Sequence, residues 1–229
     1  MKPIFITGIG TGVGKTVAAA IITEALQAHY WKPVQAGFDD GTDALTVKDL
    51  ISNTQTIIHP EVYKLQLPAS PHIAAREEKI NINLDTICRC YSQFIIHNSH
   101  YSPLPTVNHQ LSTVNCPLII EGAGGLLVPL NNDEFILDLI KKLDARVILV
   151  SRNYLGSINH SLLTAAVCKT NNVDVIGWLF NDQYMHYESE IEQWSGYKKI
   201  GSIPAATTIN KAFVKEQAML IKDQLKSIL

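Results

Sequence analysis

The stretch Gly8-Ile9-Gly10-Thr11-Gly12-Val13-Gly14-Lys15-Thr16 is the part of this sequence best suited to chemistry. Triphosphate oxygens are held by a ring of inward-pointing backbone N–H groups. Only a glycine-rich path presents such a ring without Cβ clashes, and a helix N-terminus adds its dipole. Lys15 then neutralises the terminal phosphates, and Thr16, expected as the first residue of the helix, can place its hydroxyl on Mg²⁺. Five residues separate Gly8 from Gly14, one more than the common phosphate-loop spacing. A dinucleotide pattern begun at Gly8 and Gly10 would put its third glycine at Val13, so that pattern fails. A plain glycine-rich turn between strand and helix is the alternative.

Other positions carry groups such a loop would need. Asp43 and Glu121 offer hard carboxylate oxygens, the ligand type Mg²⁺ takes. Asp43 follows Thr42 at a helix start, where capping is the other reading. Glu121 ends the apolar run Pro117-Leu118-Ile119-Ile120, at the end of a buried parallel strand where open α/β sheets bind ligands. The Gly122-Ala123-Gly124-Gly125 that follows lets backbone approach a ligand, or is a flexible turn. Asn181-Asp182 ends another apolar run; an Asn amide can meet the N6 and N7 edge of adenine, but an Asn-Asp turn is also commonplace. Gly156-Ser157-Ile158-Asn159 opens a helix whose free N–H groups suit an anion, with Ser157 as an ordinary cap the alternative. Lys32 precedes Pro33, which biases it to extended backbone; alone it reads as a solvated lysine at a strand edge.

These residues lie at the joints of a regular alternation. Short apolar runs at Pro3–Thr7, Trp31–Gln35, Pro117–Glu121, Arg146–Ser151, Val173–Asn181 and Lys198–Ile203 predict strands. Apolar residues spaced at three and four predict helices over Thr16–His29, Asp43–Asn53, Leu84–Asn98, Asp133–Leu143, Ser157–Asn171 and Asn210–Leu229. The pattern is that of an α/β protein, a parallel sheet flanked by helices on both faces. Ser99–Asn115 reads as a surface loop, and the unbroken alternation predicts one domain over 1–229. With 229 residues, 46% hydrophobic and 17% charged, the chain can bury a large core. A net charge of −2 and a pI near 6.4 provide no basic field for nucleic acid. The glycine run cuts off the apolar start before it could form a leader or a membrane span, so a cytoplasmic location is expected. Cys88, Cys90, Cys116 and Cys168 lack zinc or redox spacing and read as reduced structural residues.

The loop from Thr7 to Thr16 resembles that of the dethiobiotin synthetase family, within the P-loop NTPase type, and further segments resemble the family in order. They are Lys32-Pro33-Val34, Thr42-Asp43-Ala44, Pro71-His72-x-Ala74, Glu121 to Gly125, Gly156 to His160, Gly177-Trp178 to Asn181-Asp182, and Gly201-x-Ile203-Pro204. The resemblance implies ATP- and Mg²⁺-dependent closure of a ureido ring from 7,8-diaminononanoate and CO₂. The carbamate of the diamine would be phosphorylated, and the second amine would then attack it. It implies Lys15 and Lys32 as catalytic cations, and Thr16, Asp43 and Glu121 as metal ligands. The nucleotide would be held by Gly12, Val13, Gly14, Lys15, Thr16, Val17, Asp43, Glu121, Gly122, Ala123, Gly124, Asn181, Asp182, Pro204 and Ala205. The diamine would meet Thr11, Ala36 and, across a homodimer with shared active sites, Gly156, Ser157, Ile158 and Asn159.

The chain departs from the family at four places. The connection into Trp31-Lys32 is short, Ala36 lacks a hydroxyl the family usually has, the 99–115 stretch is long, and Thr207 to Lys211 lacks an acidic residue. Two rivals share the loop: an amidoligase or synthase of cofactor biosynthesis, which needs a glutaminase domain this length does not accommodate, and a partitioning-type switch ATPase. The latter usually has a lysine where this chain has Gly10.

Overall fold

β1 (Ile4–Gly8) is buried along its whole length and lies at the centre of the sheet. The computed structural model describes residues 1–100, 116–182 and 184–229, with backbone alone at 95–100. β1 is flanked by β6 (Leu118–Gly125) and β7 (Arg146–Arg152). Outward from β6 come β2 (His29–Trp31) and β4 (Ile58–His59). Outward from β7 come β8 (Val175–Asn181) and β9 (Lys199–Ile203). Every pairing in this seven-stranded sheet is parallel, with order β4-β2-β6-β1-β7-β8-β9.

The period-two alternation of the strands divides the core into two layers. Ile4, Ile6, Ile148, Val150 and Leu179 face α1 (Lys15–Leu26), α2 (Asp43–Leu50) and α8 (Lys211–Ile228). Phe5, Val147, Leu149, Trp178 and Phe180 face the other side. That side is covered by α3 (Pro71–Glu77), α4 (Leu84–His100), α5 (Ile136–Lys142), α6 (Ser157–Thr170) and α7 (Glu188–Ser195). The small residues Ala18, Ala19, Ala20 and Ala25 let α1 lie close on the sheet. All C-terminal strand ends point one way, so the loops after β1, β2 and β6 meet at one edge. Among the described residues no helix is long and apolar enough to cross a membrane.

The expected strand Trp31–Gln35 is two strands. Pro33 has no N–H to give the ladder, and the chain leaves the sheet there. β3 (Val34–Ala36) then pairs in parallel with β5 (Tyr63–Leu65), apart from the main sheet. The first helix starts at Lys15 rather than Thr16, with Gly14 as N-cap. α4 runs to His100, past the expected end at Asn98, and residues 101–115 of the expected loop lie outside the described residues.

Candidate active site

The loop between β1 and α1 is shaped by glycines in left-handed conformation, Gly12 at φ 71° and Gly14 at φ 85°. At Gly14 a Cβ would also lie 2.4 Å from Asn181 Nδ2, which donates to the Val13 carbonyl and ties the loop to the end of β8. Lys15 follows and folds back, its Nζ donating to the Gly10 carbonyl at 2.8 Å. Burial, reinforced by the nearby positive charge of Lys32, lowers the Lys15 ammonium from 10.5 to about 8, against the opposing pull of Glu121 and Asp43.

One residue on, Thr16 Oγ1 lies 2.9 Å from Asp43 Oδ1 and 2.9 Å from Glu121 Oε1. A hydroxyl has one hydrogen, so two carboxylate oxygens compete for it. Asp43 is free to face the cleft because Thr42 is the N-cap of α2, its Oγ1 accepting from Leu45 N at 3.3 Å. The capping role therefore belongs to Thr42. Lys32, 4% exposed, is not a solvated strand-edge lysine. Its Nζ sits 2.7 Å from Asp43 Oδ2 and 3.0 Å from Glu121 Oε1. Burial alone would lower the Lys32 ammonium, but Glu121 and Asp43 together outweigh it and raise it. Burial likewise pushes the Asp43 carboxyl up, and Lys32 with Thr16 more than reverses this, holding it below its usual value.

Lys15, Thr16, Lys32, Asp43 and Glu121 thus surround one cleft of about 720 Å³. Thr11, Gly12, Gly14, Ala36, Ala123 and Gly124 line it as well, as do Pro68 to Pro71. Of the remaining expected residues, Val13 is buried beneath the loop, Val17 is half-buried on the first turn of α1, and Gly122 packs over Phe5. Asn181 and Asp182 end β8 behind the loop; Asp182 pairs with Arg152 at 2.6 Å and bonds through its N–H to Ile203 O. Pro204 and Ala205 follow β9 and are exposed.

The residues opening α6 do not line this cleft. Gly156, at φ 102°, is the N-cap, so Ser157 is not. The Ser157 side chain turns inward, 2.6 Å from the Tyr187 hydroxyl, because the left-handed Gly156 moves the cap one residue earlier. Asn159 is exposed and Ile158 half-buried.

Beyond the residues expected from the sequence, two more hold the cleft carboxylates in place, Gln35 in the cleft wall and Tyr30 buried behind it. Gln35, 6% exposed, accepts from Asp43 N at 3.2 Å and donates to Gly37 O at 2.7 Å, fixing the turn that delivers Asp43. Tyr30 donates its hydroxyl to Glu121 Oε2 at 2.7 Å. The signal for Tyr30 was its position two residues before Lys32 in an extended run, which puts both on one side.

The donor set fits a hard divalent cation: two carboxylates and a hydroxyl from three segments converge with a surplus of acceptors. Among the described residues no group of three or more His, Cys, Asp or Glu could hold a metal, so such an ion would need oxygens from a ligand as well.

Residues 2–212 match the model of a family described as an AAA domain. The chain is 45% identical to the ATP-dependent dethiobiotin synthetase BioD of Cytophaga hutchinsonii, over 97% of this chain and 98% of that protein. It is 41% identical to the protein of the same name from Christiangramia forsetii, over 99% of each. Among solved structures, the MinC:MinD cell division complex of Aquifex aeolicus superposes with a TM-score of 0.57, covering 98% of this chain and 90% of that one. At 13% identity that likeness shows the fold alone. The near end-to-end identity with the synthetases places this chain in the dethiobiotin synthetase family.

Proposed function

We propose that this chain closes the ureido ring of dethiobiotin from 7,8-diaminononanoate, CO₂ and ATP. One observation carries the reading: two lysines and two carboxylates from four separate segments meet beside a glycine-lined anion loop. In the first step an amine of the diamine attacks CO₂, an N–C bond forms, and the amine proton leaves, giving a carbamate. A carbamate oxygen then attacks the γ-phosphorus, and the bond to ADP breaks. The second amine attacks the carbamate carbon and gives up a proton, the C–O bond to phosphate breaks, and phosphate departs with that oxygen.

None of these steps needs an enzyme nucleophile; they need two anions held together and their charge spread. Lys15 faces the terminal phosphates from the loop. Lys32, kept as an ammonium by Asp43 and Glu121, is the second cation, aimed at carbamate and γ-phosphate. Thr16, Asp43 and Glu121 would hold Mg²⁺, which when bound neutralises charge on the phosphate oxygens. We assign Asn181, Asp182, Pro204 and Ala205 to the base, with the Asn181 bond to the Val13 carbonyl in support. Since Gly156 to Asn159 lie away from the cleft, we assign them to the diamine site of a partner copy in a homodimer. The reading takes residues 1–229 as one domain working in the cytoplasm. Incubation with ATP, Mg²⁺, bicarbonate and 7,8-diaminononanoate should give dethiobiotin by mass spectrometry. ATP turnover that ignores the diamine, with no such product, would refute the reading.

A further inference from the structure

The Glu121 carboxylate is gripped at both oxygens. Oε1 lies 2.9 Å from Thr16 Oγ1 and 3.0 Å from Lys32 Nζ, while Oε2 accepts the Tyr30 hydroxyl at 2.7 Å. Tyr30 is 0% and Glu121 1% exposed. The alternation of β2 turns Trp31 into one core layer and Tyr30 into the other, and Tyr30 and Lys32, two apart, reach the same carboxylate. None of the bond-making steps above uses Tyr30.

We propose that Tyr30 is a positioning residue that holds Oε2 out of the cleft, limits Glu121 to one metal-ligating oxygen, and thereby favours Mg²⁺ over Ca²⁺. The proposal rests on the Mg²⁺ site described under the proposed function. Mg²⁺ takes near-octahedral single-oxygen contacts, whereas Ca²⁺ is larger, takes more ligands and readily accepts both oxygens of one carboxylate. For Glu121 to grip with both oxygens it must turn away from Tyr30. That leaves a buried phenol without an acceptor, a penalty corresponding to roughly ten-fold in binding. The penalty falls on Ca²⁺ and spares Mg²⁺. Thr16 and Lys32 on Oε1 do not oppose the rotation in the same way, because both face the cleft where substrate anions can take their hydrogens.

The test measures ADP affinity by calorimetry while titrating Mg²⁺ or Ca²⁺, in the wild type and in Tyr30→Phe. The wild type should prefer Mg²⁺, and Tyr30→Phe should reduce the Ca²⁺/Mg²⁺ ratio of midpoints by roughly ten-fold, mainly by tightening Ca²⁺. An unchanged ratio, or an equal loss for both ions as a merely structural role would give, overturns the proposal. A wild type whose ADP affinity responds to neither ion overturns the metal site itself, a separate failure. A second measurement needs no folded variant at position 30. Difference infrared spectra of the wild type on adding Mg²⁺ should show the wide carboxylate splitting of one-oxygen coordination, absent from Glu121→Gln; the narrow splitting of two-oxygen coordination contradicts the proposal.

Discussion

Nucleotide binding at this loop should draw a proton from solution, and the amount follows from Lys15. Its ammonium, buried beneath the loop and close to Lys32, is lowered from 10.5 to about 8. At pH 8 about half of the free protein carries a neutral Lys15. Phosphate oxygens arriving against the loop return the group towards its ordinary range or above, because an opposite charge favours the ammonium. Uptake should then be about 0.1 proton at pH 7, about 0.5 at pH 8 and about 0.9 at pH 9. Terminal phosphates lose their last proton near pH 6, so the ligand adds little in this window. Calorimetric titration with ADP and Mg²⁺ in buffers of different ionisation enthalpy measures the uptake directly. The sign also applies to folding. A lysine lowered in the folded state leaves that state with fewer protons than the unfolded chain between pH 8 and 10.5, so the contribution of Lys15 to stability rises with pH there, by roughly 3 kcal/mol in all. Heats that do not depend on buffer from pH 7 to 9, or the same uptake in Lys15→Met, would refute this account of the loop.

Lys32→Ala should lose ring closure by orders of magnitude, and it should also destabilise the protein by about 3–5 kcal/mol in urea denaturation, because Glu121 is left buried without its cation. The double variant with Glu121→Gln should recover much of that stability while remaining inactive. Gly14→Ala places a Cβ 2.4 Å from Asn181 Nδ2 at a left-handed φ. Calorimetry should find its ATP affinity reduced by at least ten-fold, with the circular dichroism of the fold retained. Asp43→Asn and Glu121→Gln should each raise the Mg²⁺ needed for half-maximal activity by roughly 10-fold or more, read from Mg²⁺ titrations of turnover.

Where local chemistry was decisive, the sequence anticipated the fold closely. The run from Gly8 to Thr16 required a strand, a turn and a helix, and the bounds of β1 and the start of α1 fall within a residue of those expected, while α1 ends at Leu26 and His29 belongs to β2. The same holds for the long apolar strands, whose alternation divides them between two layers. Short elements were missed because their stability comes from partners distant in sequence. β4 and β5, of two and three residues, exist through pairing with β2 and β3. α7 did leave signals, acidic residues in its first turn and Gly196 at its C-cap, and these were passed over.

The site divides in the same way. Lys15 and Thr16 follow from the loop alone, and Glu121 from the apolar run it closes, although β6 does not end there as expected but continues through it to Gly125. Lys32 and Asp43, read alone, had bland alternatives. Their burial and mutual pairing depend on Pro33 turning the chain out of the sheet and on Thr42 taking the cap. The contacts of Gln35 and Tyr30 span 8 and 91 residues of sequence, beyond any local periodicity. Ser157 shows the converse, since a favourable capping residue was displaced by a left-handed glycine one position earlier.

The central claim is that the cations of this cleft bring a carbamate oxygen onto the γ-phosphorus. It is tested by supplying freshly dissolved, fully ¹⁸O-labelled bicarbonate with ATP and the diamine and analysing the phosphate released in the first turnovers. One ¹⁸O atom per phosphate is the predicted result, carried over when the ring closes. Phosphate free of label alongside labelled dethiobiotin would mean that the oxygen came from water, and the account of the site would be wrong.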